Sequence, residues 1–98
     1  MNIIKNKEND TLFIALTGRL DTTTAPELEA SFNESKEGVK NVILDFEKLE
    51  YISSAGLRVL LSMQKAVMGK GRVIVKNAND SIKEVFDMTG FADIVVIE

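Results

Sequence analysis

The sequence predicts an α/β fold: one domain over residues 1–98, with a mainly parallel sheet, an N-terminal hairpin strand and the element order β-β-α-β-α-β-α-β. Three observations carry this. After an initial pair of strand-like runs, apolar runs alternate with helix-period segments, the pattern of a parallel sheet with helical crossovers. The later runs, around Val42-Ile43-Leu44, Val73-Ile74-Val75 and Ile94-Val95-Val96-Ile97, are apolar throughout, which suits strands covered on both faces or nearly so. The chain has 98 residues, the size of one domain with one core.

Each element has a local reason. Ile3 to Lys7 reads as a short edge strand and Glu8-Asn9-Asp10 as a turn. Thr11 to Thr17 contains an apolar run too short for a helix, so it reads as a buried strand, ended by Gly18 and pairing with the first as a hairpin. Gly18 to Thr24 is a loop rich in small hydroxyl residues. Pro26 suits an early helical position, with Thr24 as cap and Glu27 completing a Thr-x-x-Glu capping box. Ala25, Leu28 and Phe32 give that helix its apolar stripe, and it stops before Gly38. Val39 to Asp45 is the next strand, and Phe46 to Glu50 a connector.

From Ser54 to about Gly69 the period is helical again. Leu57, Leu60, Leu61, Gln64 and Met68 fall on one side, while Val59, Met63, Ala66 and Val67 widen the arc beyond one narrow face. Lys70-Gly71 makes a turn into the strand Arg72 to Lys76. Asn79 or Asp80 caps a helix through Ile82, Val85 and Phe86 to about Met88, ended by Thr89-Gly90-Phe91. Ile94 to Ile97 is the final strand. Crossovers are expected to be right-handed.

Composition narrows the function. Hydrophobic residues make up 45% and charged residues 28%, a balance of ordinary globular domains. The net charge of −3 with interspersed signs provides no basic track for a phosphate backbone, so nucleic-acid binding is not expected. There is no Cys, so neither thiol catalysis nor disulfides are available. There is no His, which removes Ser-His-Asp chemistry within the chain and the commonest transition-metal ligand. No cofactor or metal is expected. The N-terminus lacks a signal-peptide apolar region and no stretch has membrane-spanning length, so a cytoplasmic protein is the simplest expectation.

The stretch Tyr51-Ile52-Ser53-Ser54-Ala55-Gly56-Leu57-Arg58 is where chemistry concentrates. It places two hydroxyls at a helix start, where backbone N–H groups lack partners and the helix dipole adds positive charge. Such a position tolerates an added anion. Ala55 and Gly56 are small enough for another protein to approach closely. Leu57 and Leu61 are candidates to leave apolar area exposed beside the serines. The loop containing Asp21 and Thr22 to Thr24 also follows a strand, so both stretches belong at the carboxyl end of the sheet, where parallel α/β sheets place their sites.

Two segments carry a family resemblance. Leu44-Asp45-Phe46-x-x-Leu49-x-Tyr51-Ile52-Ser53-Ser54-Ala55-Gly56-Leu57 resembles the signature of the STAS family of anti-sigma factor antagonists and their relatives. Gly18-Arg19-Leu20-Asp21-Thr22-Thr23-Thr24-Ala25-Pro26-Glu27-Leu28 resembles that family's second signature, at a fitting separation. The resemblance implies an antagonist that is not an enzyme. Its unmodified form binds an anti-sigma factor that is also a serine kinase, and a serine phosphatase resets the phosphorylated form. It implies Ser54 as phosphoacceptor, by position relative to Gly56. The aspartate that often precedes the acceptor is Ser53 here, which makes Ser53 a second candidate, and the second hydroxyl position is Ala55. Asp21 matches the family's loop aspartate. The implied partner surface comprises Asp21, Thr22, Thr23, Ser53, Ser54, Ala55, Gly56, Leu57 and Arg58.

Blander readings stand beside these. Ser53-Ser54 taken alone is a helix cap, and Asp21 with its threonines is turn chemistry. Gly69-Lys70-Gly71 precedes a strand and lacks phosphate-loop spacing. Asp45, Glu47 and Glu50 read as a solvated acidic edge. A non-phosphorylated STAS subunit of a transport or sensory complex is the alternative function. A serine hydrolase would need a lysine, and none stands three or four residues from Ser54.

Overall fold

Five strands form one sheet in the spatial order β1-β2-β3-β4-β5, as described by the computed structural model of residues 1–98. The elements are β1 (Asn2–Glu8), β2 (Thr11–Leu20), α1 (Ala25–Ser35), β3 (Asn41–Ile52), α2 (Ser54–Val67), β4 (Val73–Lys76), α3 (Asp80–Thr89), a 3₁₀ turn (Phe91–Asp93) and β5 (Val96–Ile97). β1 and β2 are antiparallel around Asn9, which adopts φ 55, and every later pairing is parallel. The α/β class, the element order and the hairpin are as the sequence predicts.

Each crossover advances one strand in the same direction. Right-handed connections then place all three helices on one face of the sheet. Burial agrees: Leu12, Ile14, Leu16, Val42, Leu44, Phe46, Val73 and Val75 are buried, while the alternating Phe13, Ala15, Ile43 and Ile74 are only half-buried. Coverage of both faces, expected from the apolar runs, is therefore corrected: the sheet has one helix-covered face and one open face. A single cluster of 24 buried residues joins the strands to all three helices, with Phe46 stacked on Phe86 of α3 at 6.5 Å.

Two further boundaries differ from expectation for one reason. β2 does not stop at Gly18 but continues to Leu20, and β3 runs through Phe46–Glu50 to Ile52. The pairing between them shifts register at Ala15/Thr17 and again at Gly18/Arg19, each time with an additional residue in β3. These bulges space the buried residues of β3 three apart, at Phe46, Leu49 and Ile52, so period-two alternation disappears from the sequence. Gly18, at φ 107, takes the backbone through the irregularity.

Smaller corrections follow. Thr24 precedes α1 but makes no cap bond, because its hydroxyl is engaged with the loop before it. In α2 the face toward the core is Gly56, Leu57, Val59, Leu60, Met63 and Val67, whereas Leu61 and Gln64 are half-buried and Ala66 and Met68 are exposed. The last strand shortens to Val96–Ile97 because Phe91–Asp93 coils as a 3₁₀ turn, leaving Ile94 exposed. Asn79 caps α3 as expected, its side-chain oxygen accepting from the Ile82 N–H at 2.9 Å, and Gly90 ends it in the left-handed conformation.

Candidate functional site

The long parallel pairing of β2 with β3 brings the two sequence stretches together. Its last pairs are Arg19 with Tyr51 and Leu20 with Ile52. The Ser53 N–H then donates to the Leu20 carbonyl at 2.9 Å, so the chain leaves both strands side by side. Asp21 enters its loop and Ser54 enters α2 at one end of the sheet.

The Asp21 loop is internally bonded. Asp21 Oδ1 accepts from the Thr23 N–H at 3.0 Å and the Thr24 N–H at 3.1 Å. The Thr24 hydroxyl accepts from the Asp21 N–H at 2.9 Å and has one proton to give. The Arg19 carbonyl at 2.7 Å is better placed to receive it than Asp21 Oδ1 at 3.2 Å. The Asp21 carbonyl accepts from the Ala25 N–H at 2.8 Å, closing the loop onto α1. The Thr24 backbone N–H does most to hold the Asp21 carboxyl below its ordinary value. The Thr23 N–H and the Arg19 charge act in the same direction, against a contribution from burial. The carboxylate thus stays ionised and shapes the loop, with Oδ2 turned toward Arg19 Nε at 3.9 Å.

The two serines differ. Ser53 has the extended backbone of a cap residue (φ −102, ψ 176), but its hydroxyl makes no cap bond. Its Oγ is buried and has no hydrogen-bond partner. Ser54, the first helical residue, is exposed. The first helical bond runs from the Leu57 N–H to the Ser53 carbonyl, so the N–H groups of the preceding three residues have no partner within the helix.

Gly56 lies against the sheet. A Cβ there would meet Leu20 Cγ at 2.7 Å and Ile52 Cγ1 at 2.8 Å, so glycine sets how closely α2 approaches β2 and β3. Leu57 is 6% exposed, which corrects the expectation of apolar surface beside the serines: it belongs to the core. Arg58 is exposed. Thr22, Ala55 and Arg58 meet in a shallow hollow of about 220 Å³ between the starts of α1 and α2, with Pro26 and Glu29 on its far wall. Thr23 is exposed at the loop tip. The larger hollow of about 570 Å³, between Phe32–Val39 and Ala66–Lys70, is lined by none of the nine residues of the expected partner surface.

Of the nine expected surface residues, Ser54, Arg58, Thr22, Thr23, Asp21 and Ala55 present accessible area at this end. Gly56 and Leu57 contribute from below, by packing, and the ninth, Ser53, has its hydroxyl buried. Two residues escaped the sequence reading. Arg19 lies over the Tyr51 ring, its guanidinium carbon 4.3 Å from the centroid, and both are exposed. Tyr51 is the only tyrosine and follows Glu50, but the bulges that turn it outward leave no periodic signal.

No helix is long and apolar enough to cross a membrane. The family model of the STAS domain matches residues 2–98. BtrV of Bordetella bronchiseptica, provisionally named an anti-sigma factor antagonist, is 33% identical over 96 residues, covering 96% of this chain and 83% of that protein. The anti-sigma-B factor antagonist of Listeria monocytogenes is 28% identical over 104 residues, covering 100% of this chain and 90% of that protein. Among solved structures, the phosphorylated form of the Bacillus cell fate determinant SpoIIAA superposes with a TM-score of 0.77 at 22% identity, over 99% of this chain and 91% of that one. With the family model matching residues 2–98 and the fold shared with a solved structure over 99% of the chain, this chain belongs to the STAS domain family.

Proposed function

We propose that this chain is an anti-sigma factor antagonist switched by phosphorylation of Ser54. Its unmodified form binds an anti-sigma factor that is also a serine kinase, and the sigma factor is released. Phosphorylation abolishes that binding, and a serine phosphatase restores it. The chain is then a binding module and a kinase substrate rather than an enzyme, acting in the cytoplasm. The names of its relatives support the class of activity, and the phosphorylated state of SpoIIAA supports the kind of switch.

The observation that carries the assignment is the contrast between two adjacent hydroxyls. A kinase must bring the γ-phosphorus of ATP in line with an accessible oxygen. Ser54 is exposed, while Ser53 Oγ is buried and offers no such approach. The reading therefore takes Ser54 as acceptor and leaves Ser53 a packing role.

The start of α2 is suited to hold the product. Phosphate brings about −1.5 to −2 charges, beside N–H groups without helical partners. Because the domain itself accommodates the charge, the loss of affinity arises at the interface. A small hydroxyl against the partner becomes a hydrated dianion. Unpaired charge at an interface costs about 2–5 kcal/mol, a factor of tens to thousands in affinity.

The test is intact-mass analysis after incubation with ATP and each anti-sigma factor kinase of the source organism. One phosphate is expected on Ser54, retained in Ser53→Ala and absent in Ser54→Ala. Ser54→Asp is expected to weaken kinase binding by at least tens-fold with little change in Tm. Modification at Ser53, or equal binding of modified and unmodified protein, would refute the proposal.

A further inference from the structure

Arg19 and Tyr51 are paired neighbours in the sheet, one residue before Leu20 and Ile52. Leu20 and Ile52 are buried against Gly56 of α2. Strand alternation therefore turns Arg19 and Tyr51 away from the helices, onto the open face at its carboxyl end. Tyr51 is 41% exposed and the Arg19 side chain 59%, yet neither is free. The guanidinium rests on the ring at 4.3 Å, and its Nε faces Asp21 Oδ2 at 3.9 Å. Asp21 Oδ1 in turn holds the backbone of the loop that carries Thr22 and Thr23. The stack is continuous with the end of the sheet where Ser54 is displayed.

Aromatic and arginine side chains dominate the binding energy of interfaces, especially when ordered before the partner arrives. Here the ordering is present in the free protein. The charge is also met: Asp21 faces the Arg19 cation, and the cation covers the ring. A stack so nearly neutral gains most from contact with an apolar group.

We propose that the surface that binds the anti-sigma factor extends from the Ser54 hydroxyl across Asp21 onto the Arg19–Tyr51 stack, where the partner buries an apolar side chain against the tyrosine ring. The identity of the partner rests on the function proposed above. The extent of the surface rests on the stack itself. Tyr51 supplies area and Arg19 keeps the ring in place.

The experiment is calorimetric titration with the kinase that phosphorylates Ser54, in the presence of ADP, with Tm recorded for every variant. Tyr51→Ala is expected to bind about ten- to a hundredfold more weakly, and Arg19→Ala less weakly than that. The double variant is expected to lose less than the two single effects combined, because the arginine acts through the ring. Tyr51→Phe retains the ring and is expected to bind within about threefold of wild type at an unchanged Tm.

Ser54→Asp separates this proposal from the one it rests on. If Ser54→Asp loses binding while Tyr51→Ala and Arg19→Ala bind as wild type, the stack is not part of the interface and the switch stands. If only variants with a large fall in Tm lose binding, the stack is a sheet-stabilising pair and the proposal fails. If Ser54→Asp binds as tightly as wild type, the switch reading fails, and the stack is then judged on its own variants.

Discussion

Replacing Gly56 with alanine sets two known effects against each other at the base of the switch helix. Alanine favours helix over glycine by about 1 kcal/mol. Against this, the new methyl would lie 2.7 Å from Leu20 Cγ and 2.8 Å from Ile52 Cγ1, closer than carbon atoms tolerate. Both neighbours are buried, at the end of two paired strands, so neither can swing into solvent. Overpacking of this kind costs about 1–3 kcal/mol. The balance is a net loss of up to about 2 kcal/mol, which in a domain of this size lowers Tm by up to about 16 °C. Thermal unfolding followed by circular dichroism measures it. A double-mutant cycle identifies the cause: Leu20→Ala ordinarily costs about 2–5 kcal/mol, and it should cost less in the Gly56→Ala background because it removes the atoms in collision. A raised Tm, or strictly additive effects, would show that α2 has room to spare and that close approach is not why glycine stands here. Because Ser53 and Ser54 lie within one turn of the collision, the same substitution should also weaken kinase binding.

Two further outcomes follow from the loop and the serines. Ser53→Ala should leave Tm unchanged or raise it by a few degrees, since the hydroxyl it removes is buried, unpaired and caps nothing; a fall of the size usual for a lost cap, about 1 kcal/mol, would show that Ser53 Oγ does bond the helix in solution. Asp21→Asn should change how stability depends on acid. The folded-state carboxyl lies below its ordinary value of 3.8, so its contribution is complete above that value and fades as pH falls through the depressed one. The Tm difference between wild type and Asp21→Asn should therefore be constant near neutral pH and shrink in strong acid; a difference that did not shrink would mean that the loop does not depend on the charge.

Much of this protein is written locally. Alternation of apolar runs with helical periods determined the α/β class, because each element must bury a face by itself before it can meet another. Asn79 and Gly90 determined the ends of α3 through chemistry contained within one turn. The absence of His and Cys ruled out whole classes of catalysis with no structure at all. The two serine- and aspartate-bearing stretches were legible as a pair because each follows a strand, and parallel strands deliver such loops to the same end.

Tertiary structure decided what depends on neighbours. The apolar runs could not reveal that one sheet face is open, since Phe13, Ile43 and Ile74 are hydrophobic whether or not helices cover them; the one-directional strand order settled it. The bulges in β3 arise from pairing with β2, and they alone turn Tyr51 outward beneath Arg19. Leu57 read as possible surface and is core, because α2 sits as low on the sheet as Gly56 permits. Ser53 and Ser54 are the same residue type in sequence. Only the packing at the head of α2 buries one hydroxyl and exposes the other.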